Sequence, residues 1–232
     1  MLFRSDHWNL LTGPLEGDLG RFGARRVRFR LESDVALGTA FAAEAARRGL
    51  ALRPVARWDR DDHSAWVPLS FLQEAAPTAR VPAVSISPAT PREHYLLGRA
   101  LARALDRCDQ RVATIASADG SHALSPEGPY GFHEAAPEFE ERFHQTVRAW
   151  DVDAVLAFDE RFRREAAEDC VPSVAFLMGA LSSHQVQPTI LSAEAPWGVG
   201  YLTAMIEIGE RRADVGNAAV ARDHFAVERF SG

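Results

Sequence analysis

The stretch RVRFRLESDVALGTAFAAEAARRG, residues 26–49, changes period halfway along. In its first six residues Val27, Phe29 and Leu31 alternate with Arg26, Arg28 and Arg30, the two-residue repeat of a strand with one solvated face. From residue 33 onward the spacing becomes that of an amphipathic helix, with Ser33 or Asp34 as N-cap and Gly49 as the stop. A strand that turns directly into a helix is half of a β–α–β unit. The same alternation recurs outward from it. VPAVSIS (81–87) reads as a buried strand, residues 92–108 as a helix, and RVATIASADG (111–120) as a buried strand entering a polar loop. Residues 138–150 and 158–170 are helical, and Pro172 restarts a helix at PSVAFLMGAL. AWVPLSFLQEA is mixed and predicts a short helix starting at Pro68, and PTILSAEAPWGVGYLTAMIEIGE is strand, Gly/Pro loop, strand. The expectation is an α/β chain: a single three-layer α/β/α domain over residues 1–232, around a mostly parallel or mixed central sheet.

The bulk numbers narrow the function. A length of 232 residues suits one large domain with a substantial core. A net charge of −6 argues against nucleic acid or an anionic membrane as partner. The densest basic run, residues 21–30, reads first as the solvated face of a strand. Two cysteines, Cys108 and Cys170, build no disulfide framework, and no apolar run reaches membrane-spanning length, so the expected location is the cytoplasm.

In sheets of this class, ligands sit beyond the carboxyl ends of strands. Three loops there hold a histidine beside acidic or small residues: SDHW (5–8), DRDDHSAWVPL (59–69) and SADGSHALSPEGPYG (117–131). EAAEDC (165–170) adds carboxylates at a helix end. Each loop alone reads more simply as a surface or hydrogen-bonded structural histidine, and the acidic run as a solvated helix face. Two imidazoles and one carboxylate gathered on one face would be the set that holds non-haem Fe(II) for dioxygen chemistry. There is no CxxC pair, HExxH, GxSxG, P-loop or dinucleotide fingerprint.

The order S-x-H-W, D-H-x-x-W-V-P-L, VPAVSIS, H-Y-x-x-G-R-A-L-A and a strand ending in S-H resembles the class III extradiol ring-cleavage dioxygenases, the LigB-like family. EAAEDCVPSVAFLMGAL and APWGVGYL are similar to that family's closing segments, so the resemblance runs from residue 5 to about 205. It implies His7 and Glu168 as metal ligands, with Asp169 as the neighbouring alternative to Glu168. It implies His122 as the acid/base histidine and His63 as a catalytic or substrate-contacting one, with Ser64 standing where the family usually has Gly. Fe(II) is the implied cofactor (zinc or no metal the alternatives), and a catechol-type aromatic and O2 the implied substrates. The diol would give up a proton to His122, which would return it as the ring opens. Tyr130, Phe132 and His133 follow this histidine and are candidates for contact with an aromatic ring.

The family's first metal-ligating histidine precedes the S-x-H-W motif, and the sequence begins after it. The implied set is therefore one imidazole and one carboxylate. The explanations are a start further upstream, a shortened non-catalytic relative, or a substitute such as His133 or His184. An uncovered sheet edge would favour a homo-oligomer or a partner subunit. Three functions compete: a ring-cleaving dioxygenase, a non-catalytic subunit or small-molecule-binding protein of the same fold, and a zinc hydrolase.

Overall fold

The computed structural model describes residues 7–57 and 63–212, apart from the side chains of Arg21 and His63. The chain is an α/β protein in which helices alternate with mixed and antiparallel sheets. Strand β1 (Trp8–Leu11) is the middle of a three-stranded sheet. It pairs in parallel with β4 (Leu52–Val55) and antiparallel with β5 (Ala83–Val84). The helix predicted between β1 and β4 is α1 (Val35–Ala46). The Asp34 carboxylate caps it by accepting from the Leu37 N–H at 2.9 Å, and Gly49 leaves it with a left-handed φ of 69°.

The arginine-rich strand forms as the alternation predicts. It is β3 (Ala24–Leu31), in a hairpin with β2 (Leu15–Leu19). Phe29 and Leu31 are buried and Arg26, Arg28 and Arg30 face solvent, but Val27, expected on the apolar side, is 40% exposed. Arg30 pairs with Glu16 and Glu32, which reads the basic run as a solvated face.

Helix α3 (Pro91–Leu105) opens with a capping box. Thr90 Oγ1 accepts from the Glu93 N–H, and the Glu93 carboxylate accepts from the Thr90 N–H. It crosses α7 (Cys170–Ala180) at backbone contact distance. A Cβ on Gly98 would lie 2.0 Å from the Phe176 carbonyl oxygen, and one on Gly179 would lie 2.1 Å from that of Tyr95. These two glycines therefore set how closely the helices approach. Helices α4 (Ala135–Ala149), α5 (Val152–Leu156) and α6 (Glu160–Glu165) complete the cluster around α7. Their core is aromatic: Phe139, Phe143 and Phe158 are buried together, with Phe139 and Phe143 stacked at 5.7 Å. The closing ribbon is β6 (His184–Glu194) paired antiparallel with β7 (Tyr201–Arg211).

Three local expectations are corrected. VPAVSIS contributes only the two residues of β5. Residues 111–120 run without regular secondary structure, and at their end the backbone of Ser117, Asp119 and Gly120 pairs with the Ser173 hydroxyl, the Asp169 carboxylate and the Gly200 carbonyl. Pro68 does not start a helix but lies inside α2 (His63–Ala75). A proline has no N–H to give the carbonyl four residues back, here that of Ser64. That carbonyl instead accepts from the Ser117 hydroxyl. Tertiary structure thus satisfies the group that the proline orphans, and the helix continues through it.

Candidate functional site

The hydrogen bond between Ser117 and Ser64 ties the first turn of α2 to the loop that carries His122. That loop, residues 116–123, is held on three sides. The Gly120 N–H donates to the Gly200 carbonyl at 2.7 Å, and the Gly200 N–H donates to the Ser121 carbonyl at 2.8 Å. The fully buried Ser121 hydroxyl donates to the Ala166 carbonyl at 2.6 Å. The Ser121 N–H donates to Glu140 Oε1 of α4, also at 2.6 Å.

His122 is consequently fixed. Its Nδ1 is 2.8 Å from the Ala167 carbonyl oxygen. A carbonyl only accepts, so Nδ1 carries the proton, and in the neutral ring the Nε2 lone pair is the free base. Ala167 presents that carbonyl from a left-handed conformation, φ 51°, unusual for a residue with a side chain. On the other side, Nε2 faces Asp119 Oδ2 at 3.5 Å. The contact with Asp119 raises the imidazole pKa above its ordinary value, against the opposing effect of burial. The Ala167 carbonyl and the charge of Asp169 add to the rise.

Asp169 completes the polar centre. Its Oδ1 accepts from the Asp119 N–H at 2.8 Å. Burial pushes its carboxyl pKa up to about 6, only partly offset by that hydrogen bond, and the Asp119 charge adds to the rise. A histidine with a raised pKa and a carboxyl raised to about 6 thus lie together.

The rim is aromatic. Tyr130 meets the His122 ring edge-on with centroids 5.6 Å apart and is 63% exposed. Trp197, 73% exposed, meets Tyr201 edge-on at 6.1 Å. Burial and the charge of Asp119 hold the Tyr201 phenol above its ordinary pKa, so it stays protonated. Tyr130 beside His122 and Trp197 beside Tyr201 both leave ring surface exposed. Phe132, by contrast, bridges back to Leu124, and His133 Nδ1 accepts from the Ala135 N–H at the start of α4.

Of the other expected residues, Glu168 adjoins this centre, between Ala167 and Asp169, and His63 stands next to Ser64 in the chain. His7 immediately precedes β1 and is half-buried, while Ser5 and Asp6 of the same motif fall outside the described residues. The backbone of His63 opens α2, next to Ser64 and hence close in sequence to the Ser117 tether. Glu168 has a completely buried side chain whose oxygens are both engaged. Oε1 pairs with Arg163, and Oε2 accepts from the Val171 N–H at 2.8 Å and from the Cys170 thiol at 3.4 Å. Burial holds that thiol far above its ordinary pKa, so it stays protonated and acts as a donor. His184 starts β6, at the far end of the ribbon from the loop that joins it to β7, on the order of 30 Å away at strand rise. His94, in the H-Y-x-x-G-R-A-L-A motif, is a satisfied core histidine. Its Nδ1–H donates to the Thr90 carbonyl, Nε2 accepts from the Ser87 N–H, and burial keeps it neutral.

Residues 4–203 match the family model described as the catalytic LigB subunit of aromatic ring-opening dioxygenase. The chain is also 30% identical over 146 residues to protein CA_C1420 of Clostridium acetobutylicum. That match covers 63% of this chain and 31% of the relative, so the chain spans about a third of the relative's length. Dioxygenases of the matched family are generally metal-dependent. The described residues alone do not complete a metal site. Both oxygens of Glu168 are engaged, and among the described residues no three His, Cys, Asp or Glu side chains converge on a space for a cation.

Proposed function

Because the chain belongs to the family of catalytic LigB subunits of aromatic ring-opening dioxygenases, we propose that it opens the ring of a catechol-type substrate with O2, with His122 as the proton-transfer group. The observation that carries this reading is the fixed imidazole. With Nδ1–H donated to Ala167, neutral His122 offers Nε2 to an acidic hydroxyl. Proton transfer from the diol to Nε2 produces an imidazolium that Asp119, and Asp169 when ionised, stabilise. The same proton is then available to an oxygen of the opening ring. Tyr130, Tyr201 and Trp197 position the aromatic plane above these groups. His63 belongs to the proposal through its place in the first turn of α2, beside the Ser117 tether.

Fe(II) is the cofactor proposed from the family, and no step above depends on it. The engagement of Glu168 with Arg163 favours a second reading, in which the chain binds an aromatic diol without turning it over. Both are tested by measuring catechol binding by calorimetry and O2 uptake, with protein prepared without oxygen and supplied with Fe(II), Zn(II) or no metal. Uptake that is lost in His122→Ala supports the enzyme. Catechol binding without uptake under any of the three conditions supports the second reading, and absence of both removes the site.

A further inference from the structure

The carboxylate of Glu140 sits in a seat made of glycine. A Cβ on Gly120 would lie 2.4 Å from Glu140 Oε1, and a Cβ on Gly200 would lie 2.4 Å from all three atoms of the carboxyl group's Cδ, Oε1 and Oε2. Every other residue at either position would collide with the carboxylate. The group is largely buried, with 12% of the side chain exposed, and Oε1 accepts the Ser121 N–H at 2.6 Å. His144 Nε2, one helical turn further along α4, lies 3.1 Å from Oε2. The carboxylate also bears on Cys170, whose thiol it helps to keep protonated. One acidic side chain therefore touches the loop before His122 and the strand entry at Gly200, and its charge reaches Cys170 at the start of α7.

We infer that Glu140 is a positioning residue for His122: its carboxylate, seated between Gly120 and Gly200, pins the Ser121 amide and so fixes the loop that aims the imidazole. It acts through one charge-assisted hydrogen bond to a backbone amide, in a place where water is largely excluded. Ser121 then transmits the constraint twice, through its hydroxyl to Ala166 and through its carbonyl to Gly200. His122 is the next residue and accepts its own orientation from Ala167, which is the next residue after Ala166. The inference rests on the reading of His122 as the proton-transfer group, but the pin itself can be measured without any reaction.

The test uses the full, metal-free chain. Amide hydrogen exchange at Gly120, Ser121 and His122 is followed by NMR in wild type, Glu140→Gln, Glu140→Ala and Gly200→Ala. Glutamine keeps the shape and an accepting oxygen, so its Ser121 exchange should stay within about threefold of wild type, whereas Glu140→Ala should speed it by about tenfold or more. Gly200→Ala should reproduce the alanine effect with Glu140 still present, because the methyl group unseats the carboxylate. Unchanged Ser121 exchange in Glu140→Ala, or an equal rise at amides throughout α4 and α7, would overturn the inference. In catechol turnover, Glu140→Ala should lower kcat about tenfold or more with KM little changed, and Glu140→Gln should restore it. Lost Ser121 protection together with full activity in His122→Ala would leave the pin standing and remove the site reading. Lost protection with kcat unchanged in Glu140→Ala and activity abolished by His122→Ala would overturn the positioning role alone.

Discussion

Replacing Asp169 by asparagine should change how the stability of the protein depends on pH. The carboxyl is held at a pKa of about 6 in the folded protein against an ordinary value of 3.8, with burial the largest cause. A raised carboxyl pKa means that the folded state binds the proton more tightly than the unfolded chain does. The stabilisation by this group is therefore complete below about pH 4 and is lost as pH rises towards 6 and beyond. A rise from 3.8 to about 6 corresponds to about 3 kcal/mol. Asparagine keeps an oxygen for the Asp119 N–H and carries no charge, so this loss should disappear. Urea unfolding of wild type and Asp169→Asn at half-unit intervals between pH 4 and 7.5 reads the effect. The difference in unfolding free energy between variant and wild type should grow in the variant's favour by about 2–3 kcal/mol across that range. His122, whose pKa is raised, contributes in the same direction, losing its stabilisation as pH rises through its folded value. Part of the growth therefore reflects weaker pairing between the two groups. Two curves that run parallel from pH 4 to 7.5 would refute the claim that a buried, reluctant carboxylate lies at this site.

Three further outcomes are expected. Arg163→Met leaves the fully buried Glu168 without its cation and should lower stability by about 3–5 kcal/mol at pH 7, while the double change with Glu168→Gln should recover much of that loss in denaturant unfolding. Gly98→Ala places a methyl group 2.0 Å from the Phe176 carbonyl and should cost about 3 kcal/mol by thermal or urea unfolding, whereas Gly23→Ala, whose Cβ meets nothing within 4 Å and whose cost is confined to its left-handed φ, should cost only about 1 kcal/mol. Ala167→Gly removes the side chain from a left-handed backbone and should stabilise the chain by up to about 1 kcal/mol, with faster amide exchange at His122 as the accepting carbonyl loosens.

The elements that the sequence reveals are those whose signals are local. The strand over residues 26–31 and the Asp34 cap rest on signals within a few residues, and both form where the pattern predicts, with Val27 alone leaving the buried side. Residues 111–120 looked like a strand because they are apolar and β-branched, but hydrogen-bond partners decide a strand, and those of this segment lie in other parts of the chain. Pro68 shows the same limit. Its own chemistry argues for a helix start, and only Ser117, 49 residues later by the numbering, makes its interior position tolerable. At the site, the S-H motif singles out His122 because histidine is rare and chemically loaded. Nothing distinguishes Glu140 from the other acids of EFEERF, since its role depends on two glycines 20 residues before it and 60 after it. Asp119 stands in a polar loop and Asp169 in the acidic run at a helix end, and the bond between the Asp119 amide and the Asp169 carboxylate is a product of folding. Glu168 illustrates the converse: its motif singles it out, and its surroundings occupy it with Arg163 and the first turn of α7.

The proline within α2 has a consequence for how forces travel through the molecule. A helix whose hydrogen bonds are all internal can slide or tilt without disturbing its neighbours. At position 68 there is no N–H for the Ser64 carbonyl to accept from, and the first turn of α2 takes a donor from Ser117. Pro68→Ala would return an N–H to the helix and let it satisfy that carbonyl itself. The helix would become more self-sufficient, and the segment carrying Asp119 and His122 would lose an anchor. Local improvement and long-range coupling stand opposed at this position, and the sequence here keeps the coupling.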